Sequence, residues 1–520
     1  MNIIFALIAL VTAVNIGSYF VMAAKTPIYT VFLWTVHYPL DYLDYLSYIT
    51  QGKWHWLRSY HLFSGETTHL EFLNWPFVLA GHIGSWFGLA PGVTYIIMVA
   101  AGTILYLLVA YKLITLLIPT SAPKRLLLFI LFLLSNEFPN IYQANGHWVF
   151  AYFYPFENWG EPLIRLTNVP HQILIQAAIM GSFVLSAMFW QQKLSLKRMA
   201  ALTFVTGLVL ASLQPLQWAF ATGVVGVVSL FQWWKTKKID VMFPSVILGL
   251  GGLVPALYLK HLFTYPPYSY TIAWEAAQQT YITFRHFVEL NGPLMILAIV
   301  GLPFIITTIP ATGAALILYT IIAIAIFFSN IPVTLHMMNN RFFSVIPTMA
   351  FAYISTEFLY KIAKKVDPAR PMAFAWFAAL VAIAITIPVT VKQANDRTIV
   401  ANPDNVMAYL PLGAYQAFEV ASEKVGPTDT VLVEPLFAQP FTAVAGKHVF
   451  VSNELATIDY SRKIAEATDF YYKIQPPGTK VTWLRKNHIA YIYTFAWLPI
   501  NLPNLTIIYQ NQYSILYKVK

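Results

Sequence analysis

The residues best suited to chemistry come early, in "LDYLDYLSYITQGKW", residues 40–54, where a chain poor in acids places Asp41 and Asp44 three apart. At helical spacing Asp41, Asp44, Tyr45, Tyr48 and Gln51 share one face; Tyr42, Leu43, Leu46 and Ile49 share the other. This predicts an amphipathic helix at a membrane interface, with its apolar side on lipid or protein and its acid side toward a cavity. An aspartate at a helix start is also an ordinary cap. The sharper chemistry is general-base catalysis by a carboxylate whose pKa a partly dry cleft raises toward its working pH.

Further along, Glu66 and His69 fall in a polar loop, and His82 falls on an apolar helix of about fifteen residues, too short to span a membrane. A lone histidine on an apolar face is more often a packing residue than a ligand. Tyr45, Glu66, His69 and His82 are the candidate substrate contacts. A divalent metal finds weak support, since His55, His61 and His69 have no recognised zinc spacing. His171, just after Pro170, and Arg341, in "NNRFF", each stand at the mouth of an apolar run. Such cations can simply snorkel to the lipid boundary. Together, a guanidinium and an imidazole at headgroup depth would clamp a phosphate.

The elements that must position these residues are mostly membrane helices. The 520 residues are 58% hydrophobic and only 10% charged, with mean hydropathy +0.60; a soluble protein carries about a quarter charged residues. Apolar runs able to cross ~30 Å of hydrocarbon lie at about 3–24, 92–117, 124–137, 169–190, 199–213, 215–233, 242–262, 291–309, 312–328, 342–362 and 371–391. The first, although "VMAAK" is similar to a cleavage site, reads as a retained span. "SLQPLQW" around Pro215 reads as a tight outer hairpin or a helix break.

The net charge of +10 fits basic loops that fix orientation better than a nucleic-acid partner, because no basic run is long enough to follow a phosphate backbone. With the N-terminus in the cytoplasm, thirteen Lys and Arg fall in short inner connections and eight, Arg165 among them, in the longer outer segments. That asymmetry predicts a multi-pass protein of the cell membrane, N-terminus inside and C-terminus outside. The long loops 25–91, 138–168, 263–290 and 329–341 then share the outer face. Cysteine is absent, which excludes disulfides, thiol nucleophiles and thiolate metal sites.

The tail differs in kind: residues 393–520 hold 21 charged residues in 128, about twice the density of the rest. Strand-like "TVLVEP", "KHVFVS", "AYIYTF", "LTIIYQ" and "YSILYKV" alternate with helix-like "AYQAFEVASEKVG" and "DYSRKIAEATDFYYKI", which predicts a small α/β domain. The expected division is 1–391, a membrane domain with its first outer loop at 25–91, and 392–520, an extracytoplasmic domain. No dinucleotide or phosphate-loop motif is present. "NLT" at Asn504 matches a glycosylation sequon, a triplet common by chance.

In order and spacing, several segments resemble membrane glycosyltransferases of the C-type (GT-C) fold, in particular prokaryotic members with a C-terminal α/β domain. The likeness begins with Asp41, Tyr45, Leu46 and Ile49 in a D-x-x-x-Y-L-x-x-I setting. It continues through "GETTHLEFLNWPFVLAGHIGSWFGLAPGVTY", "NVPHQ", "LQPLQW", "YPPYSYTIAWEAAQQ", "NGPLMILAIVGLP" and "NNRFF". In the tail it takes in "VFVSNELATIDYSRKIAEATDFYY" and "WLRKNHIAYIYTF". The pattern departs at Ser452-Asn453, where Gly-His is expected before the T-x-D-Y element.

The resemblance implies about eleven transmembrane helices, interfacial helices in the first outer loop, and transfer of a sugar from a polyprenyl-phosphate-linked donor to a glycan, protein or lipid acceptor outside the membrane. It implies Asp41 as base, with Asp44 beside it, and Arg341, helped by His171, on the lipid phosphate. A transporter or flippase of lipid-linked sugars is the alternative; it would need ionisable residues at mid-bilayer, and the runs are nearly free of acids. A GT-C-like scaffold without catalysis is the third reading.

Overall fold

A computed structural model of the chain describes residues 2–35, 39–66, 69–153, 162–163, 169–396 and 405–520. Arg165, and the two threonines of "GETTH", lie outside the described residues. Helices and strands are numbered in chain order.

All eleven apolar runs are helical: α1 (Asn2–Ala24), α4 (Pro91–Leu117), α5 (Ala122–Leu134), α6 (Pro170–Trp190), α7 (Leu196–Leu213), α8 (Pro215–Thr236), α9 (Phe243–Leu262), α11 (Phe284–Ile305), α12 (Ala311–Phe327), α13 (Val345–Val366) and α14 (Pro371–Asp396). Eight of these are long and apolar enough to cross a membrane. The other three are α5, with 13 residues, α12, with 17, and α13, whose second half carries Glu357, Lys361, Lys364 and Lys365. Pro215 opens α8 at N1, so the expected break between α7 and α8 is there.

The chain forms two compact units, neither continuous in sequence: 1–15 with 99–263 and 272–396, and 16–98 with 264–271 and 397–520. The tail therefore shares its unit with the segment expected as the first outer loop.

The first unit is a helical body with one large core, running from Ile4 and Ile8 of α1 through Phe129, Phe132 and Phe183 to Met349 and Ile383. A hairpin, β2 (Asn140–Ala144) with β3 (His147–Ala151), pairs antiparallel in register Tyr142↔Val149. Helix α11 breaks at Gly292 (φ 61°, ψ −161°). A Cβ there would lie 2.0 Å from the Asn136 carbonyl, so only glycine permits the kink. Lys124 and Glu357 form an ion pair at 2.8 Å.

In the second unit, β1 (Thr30–Phe32) pairs antiparallel with β4 (Tyr409–Pro411). Helix α2 (Pro39–Gln51) packs between α3 (Trp75–Trp86) and α16 (Pro435–Ala445). The tail adds α15 (Leu412–Lys424), α17 (Tyr460–Tyr472), α18 (Pro477–Lys486) and a mixed sheet ordered β5-β6-β8-β7, from Thr430–Leu432, Ile489–Phe495, Leu505–Gln510 (β7) and Ser514–Val519 (β8). Beside β5, Val449 bridges Val431 in parallel, and Val451 bridges Ser64 antiparallel. Val449 N–H also donates to the Leu62 carbonyl at 2.9 Å. Residues 62–64 thus cover the sheet edge that "KHVFVS" would otherwise expose. The amide atoms of Asn504 are buried, so its sequon is not presented to solvent.

The expected helix is α2, which ends at Gln51 with residues 52–54 in a turn, and its second face is covered too. Tyr42 (1% exposed), Leu43, Tyr48 and Gln51 (1%) are buried, and only Leu40 and Asp41 are open. The apolar face rests on protein. The crossing with α3 depends on small residues: a Cβ on Gly81 would stand 1.9 Å from the Ile49 carbonyl, and one on Gly52 2.4 Å from Val78 O. Gly81→Ala is expected to destabilise the unit by about 1–3 kcal/mol in denaturant unfolding. Gly17→Ala, with open space around it, is expected to change little; equal effects would reject the close-approach account.

Candidate active site

In the second unit the candidate chemistry is built on α2. Asp41, in its first turn, is exposed; a carboxylate there is favoured by the helix dipole. One turn on, Asp44 is largely enclosed. Its Oδ1 accepts from Gln439 Nε2 at 2.6 Å and its Oδ2 from Asn453 Nδ2 at 3.3 Å. Both amides have their orientation fixed elsewhere. Gln439 Nε2 also donates to Leu40 O at 2.9 Å, and Asn453 Oδ1 accepts from Leu455 N at 2.9 Å. The clasp is therefore made for an acceptor-only group. Burial pushes the Asp44 carboxyl well above the usual range, with Asp41 adding to the rise, while the two amides oppose it.

Around α2 lies a ring of aromatic and acidic groups. Tyr45 stacks on Phe77, centroids 4.6 Å apart. Burial drives the Tyr48 phenol upward, and Asp44 and Glu71 add to the rise. Glu71 accepts a hydrogen bond from the Tyr268 hydroxyl, and burial pushes its carboxyl up to about 7. Its backbone exchanges hydrogen bonds with Ser59 at 2.9 and 3.0 Å.

Of the other candidates, Glu66 and His82 have protein partners of their own. Glu66 accepts from Ser64 at 2.6 Å and from the buried Lys463 at 2.5 Å. Partial burial would raise this carboxyl, but the Lys463 and Ser64 bonds win and hold it below the usual range. His82 Nδ1 lies 2.9 Å from Gly52 O, with its ring against Trp56 and Trp86, so it closes the C-terminal end of α2. His69 is exposed. His61 reaches Ala456 O at 2.6 Å, and His448 lies edge-on to Tyr60; burial pushes both imidazoles down to about 4.

In the first unit Arg341 occupies a short turn, Asn339–Phe342, that leads into α13, capped by Ser344. Its Nη2 donates to Glu275 Oε1 at 2.7 Å, and both side chains are mostly buried. Glu275 belongs to α10 (Tyr268–Ala277). Gln217 Nε2 donates to the Arg341 carbonyl, Tyr319 OH donates to Gln217 Oε1 at 3.2 Å, and Ser344 Oγ donates to Tyr319 OH at 3.2 Å. Asn339 pins the same turn to residue 280, accepting from Thr280 N at 2.9 Å and donating to Thr280 O at 2.8 Å. His171, in the first turn of α6, is within electrostatic range of Arg341. The fold thus sets His171 in the field of Arg341 and gives Arg341 a counter-ion, Glu275, that the sequence did not reveal. Among the described residues, no three His, Asp or Glu side chains converge as a metal site.

This architecture has solved counterparts. The apo oligosaccharyltransferase of Archaeoglobus fulgidus superposes with TM-score 0.53 at 11% identity, over 93% of this chain and 69% of that one. The same enzyme with an inhibitory peptide and a dolichol-phosphate gives 0.51 at 11%, with the same coverage. The mycobacterial arabinofuranosyltransferase AftD gives 0.54 at 14% identity, over 99% of this chain and 40% of that longer one. The fold is GT-C. No protein-family model and no curated protein sequence matches the chain. With this fold and its apolar helices, the chain is a multi-pass membrane protein.

Within the GT-C frame, sequence reasoning missed Gln439, Asn453, Glu71, Tyr268 and Glu275. Asn453 had a signal: it stands where the family pattern expects histidine, and the structure turns it onto Asp44.

Two predictions come from these contacts. Asp44→Asn sets an amide N–H₂ against one of two fixed donors, so unfolding free energy is expected to fall by roughly 1–3 kcal/mol, measured in denaturant. An unchanged midpoint would discard the clasp. For the histidines, the folded state binds fewer protons than the unfolded state between pH 6.5 and about 4. Stability is thus complete above pH 6.5 and lost as pH falls toward 4. Melting temperature should fall across that window in the wild type. The fall should be smaller in the His61→Gln/His448→Gln protein; identical slopes would exclude these groups as the cause.

Proposed function

We propose that this chain is a glycosyltransferase that moves a sugar from a polyprenyl-phosphate-linked donor to an acceptor hydroxyl on the extracytoplasmic side of the membrane. The observation that carries the reading is the acid pair on α2, an exposed Asp41 one turn before the amide-clasped Asp44, in a chain of GT-C fold.

Asp41 takes the proton of the acceptor hydroxyl as that oxygen attacks the anomeric carbon. The bond from that carbon to the phosphate oxygen breaks, and its electron pair leaves with the lipid phosphate. Asp44 sets the local field at Asp41 and holds the start of α2 in place. Arg341 and His171 receive the phosphate charge, with Glu275 keeping the guanidinium in place until it binds. The structural neighbour with a bound dolichol-phosphate supports a lipid-phosphate donor. The thirteen-to-eight bias of basic residues supports an N-terminus inside and a C-terminus outside. A glycan, protein or lipid can supply the acceptor hydroxyl.

The test is transfer of labelled sugar from polyprenyl-phosphate donors by the purified full chain. Asp41→Asn should lower turnover by about 10²–10⁴-fold with an unchanged melting temperature. Full activity in that variant would remove Asp41 from the role of base.

A further inference from the structure

Glu71 has no part in the transfer step above, yet its surroundings are those of a working group. Its backbone is fixed on both sides by Ser59. Its Oε2 accepts from Tyr268, a 7%-exposed side chain whose ring lies edge-on to His61, centroids 5.3 Å apart. Tyr48 lies in the fields of both Asp44 and Glu71. Glu66 and Glu275 meet Lys463 and Arg341 respectively. Glu71 meets a phenol, and among the described residues no cation pairs with it. Its second oxygen takes no hydrogen bond from a described residue and is not sealed from solvent. A partly buried carboxyl held by one neutral donor, with one acceptor oxygen open, is a binding group.

We propose that Glu71, presented by Tyr268, is a second functional carboxyl of the α2 site and accepts a hydrogen bond from a hydroxyl of a saccharide acceptor. The inference rests on the glycosyl-transfer reading and narrows the acceptor class to a sugar. Glu71 here is a binding and positioning residue, and Asp41 keeps the proton transfer. Among the described residues, Glu71 meets Tyr268, whose ring packs edge-on to His61, and acts on Tyr48, which Asp44 also affects. The carboxylate form, the better acceptor, grows as pH rises through about 7.

The experiment uses the full chain in lipid nanodiscs, with Glu71→Gln and Tyr268→Phe. Glutamine keeps the volume and an acceptor for Tyr268 but loses the charge. For transfer to saccharide acceptors, Glu71→Gln should raise KM roughly 10- to 100-fold, the range of a hydrogen bond to a charged group. Its kcat should stay within a few-fold. Wild-type KM should fall as pH rises through 7, and in Glu71→Gln it should be flat. Tyr268→Phe removes a donor that favours the carboxylate, so the break should move to higher pH. Wild-type KM and pH profile in Glu71→Gln would overturn the proposal, as would a loss confined to kcat. If the wild type transfers no sugar, the glycosyltransferase reading fails separately. Binding of free mono- and disaccharides, read by tryptophan fluorescence, then decides for Glu71: binding weakened by Glu71→Gln supports it, and equal or absent binding overturns it.

Discussion

The chemistry of the second unit depends on the enclosure of α2. A helix carrying two carboxyls is held between α3 and α16, close enough to α3 that Gly52 and Gly81 cannot carry side chains. Burying a carboxyl is costly unless hydrogen bonds replace its water. Here neutral amides do so, and the choice of partner sets the chemistry. Glu66, given a lysine, is an acid held below its ordinary range, a structural ion pair. Asp44, given two amides, stays above it, and Glu71, given a phenol, sits near neutrality. Burial raises all three acids, and of the three it is Glu66 that has a cation to overcome it.

The first unit manages charge by another route. Its core is almost wholly apolar, and Arg341, which receives the phosphate in the proposed reaction, is kept in place by local devices. Arg341 is anchored at both ends: its guanidinium meets Glu275, and its carbonyl meets Gln217. The relay from Ser344 through Tyr319 to Gln217 fixes the turn that presents it. A bound phosphate would share the guanidinium with Glu275, and Arg has donors enough for both. The consequence is a guanidinium held in place by protein partners alone.

The helical framework was legible because lipid demands long apolar runs, and each of the eleven runs is a helix. Most of the tail was legible for a related reason: its alternating strands "AYIYTF", "LTIIYQ" and "YSILYKV" all occur as strands. Helix α16 was hidden by Pro435 and Pro440, which read as breakers but are carried at N1 and in the interior. The enclosure of α2 was equally hidden, since a period-3.6 pattern shows a polar face without showing what covers it. Asp41, Asp44, Arg341 and His171 were singled out as candidates by residue type and position. Their partners were not: Gln439 and Asn453 lie 395 and 409 residues beyond Asp44, and no local pattern links them. Glu71 sits in "HLEFLN", where nothing marks it as different from Glu66 until Tyr268 is placed.

The strand-like cover of residues 62–64 over the tail's sheet has a consequence in time. Phe63 and the threonine that binds its carbonyl, Thr457, are 394 residues apart. At ribosomal speeds of about 5–20 residues per second, the early segment waits roughly 20–80 s for its partner to be made. Throughout that interval Asp44 has no clasp and α2 has no lid. The clasp on the acid pair is made last, when translation is nearly done, so a chain cut short upstream of Gln439 would carry its apolar helices but leave Asp44 without its two amide partners.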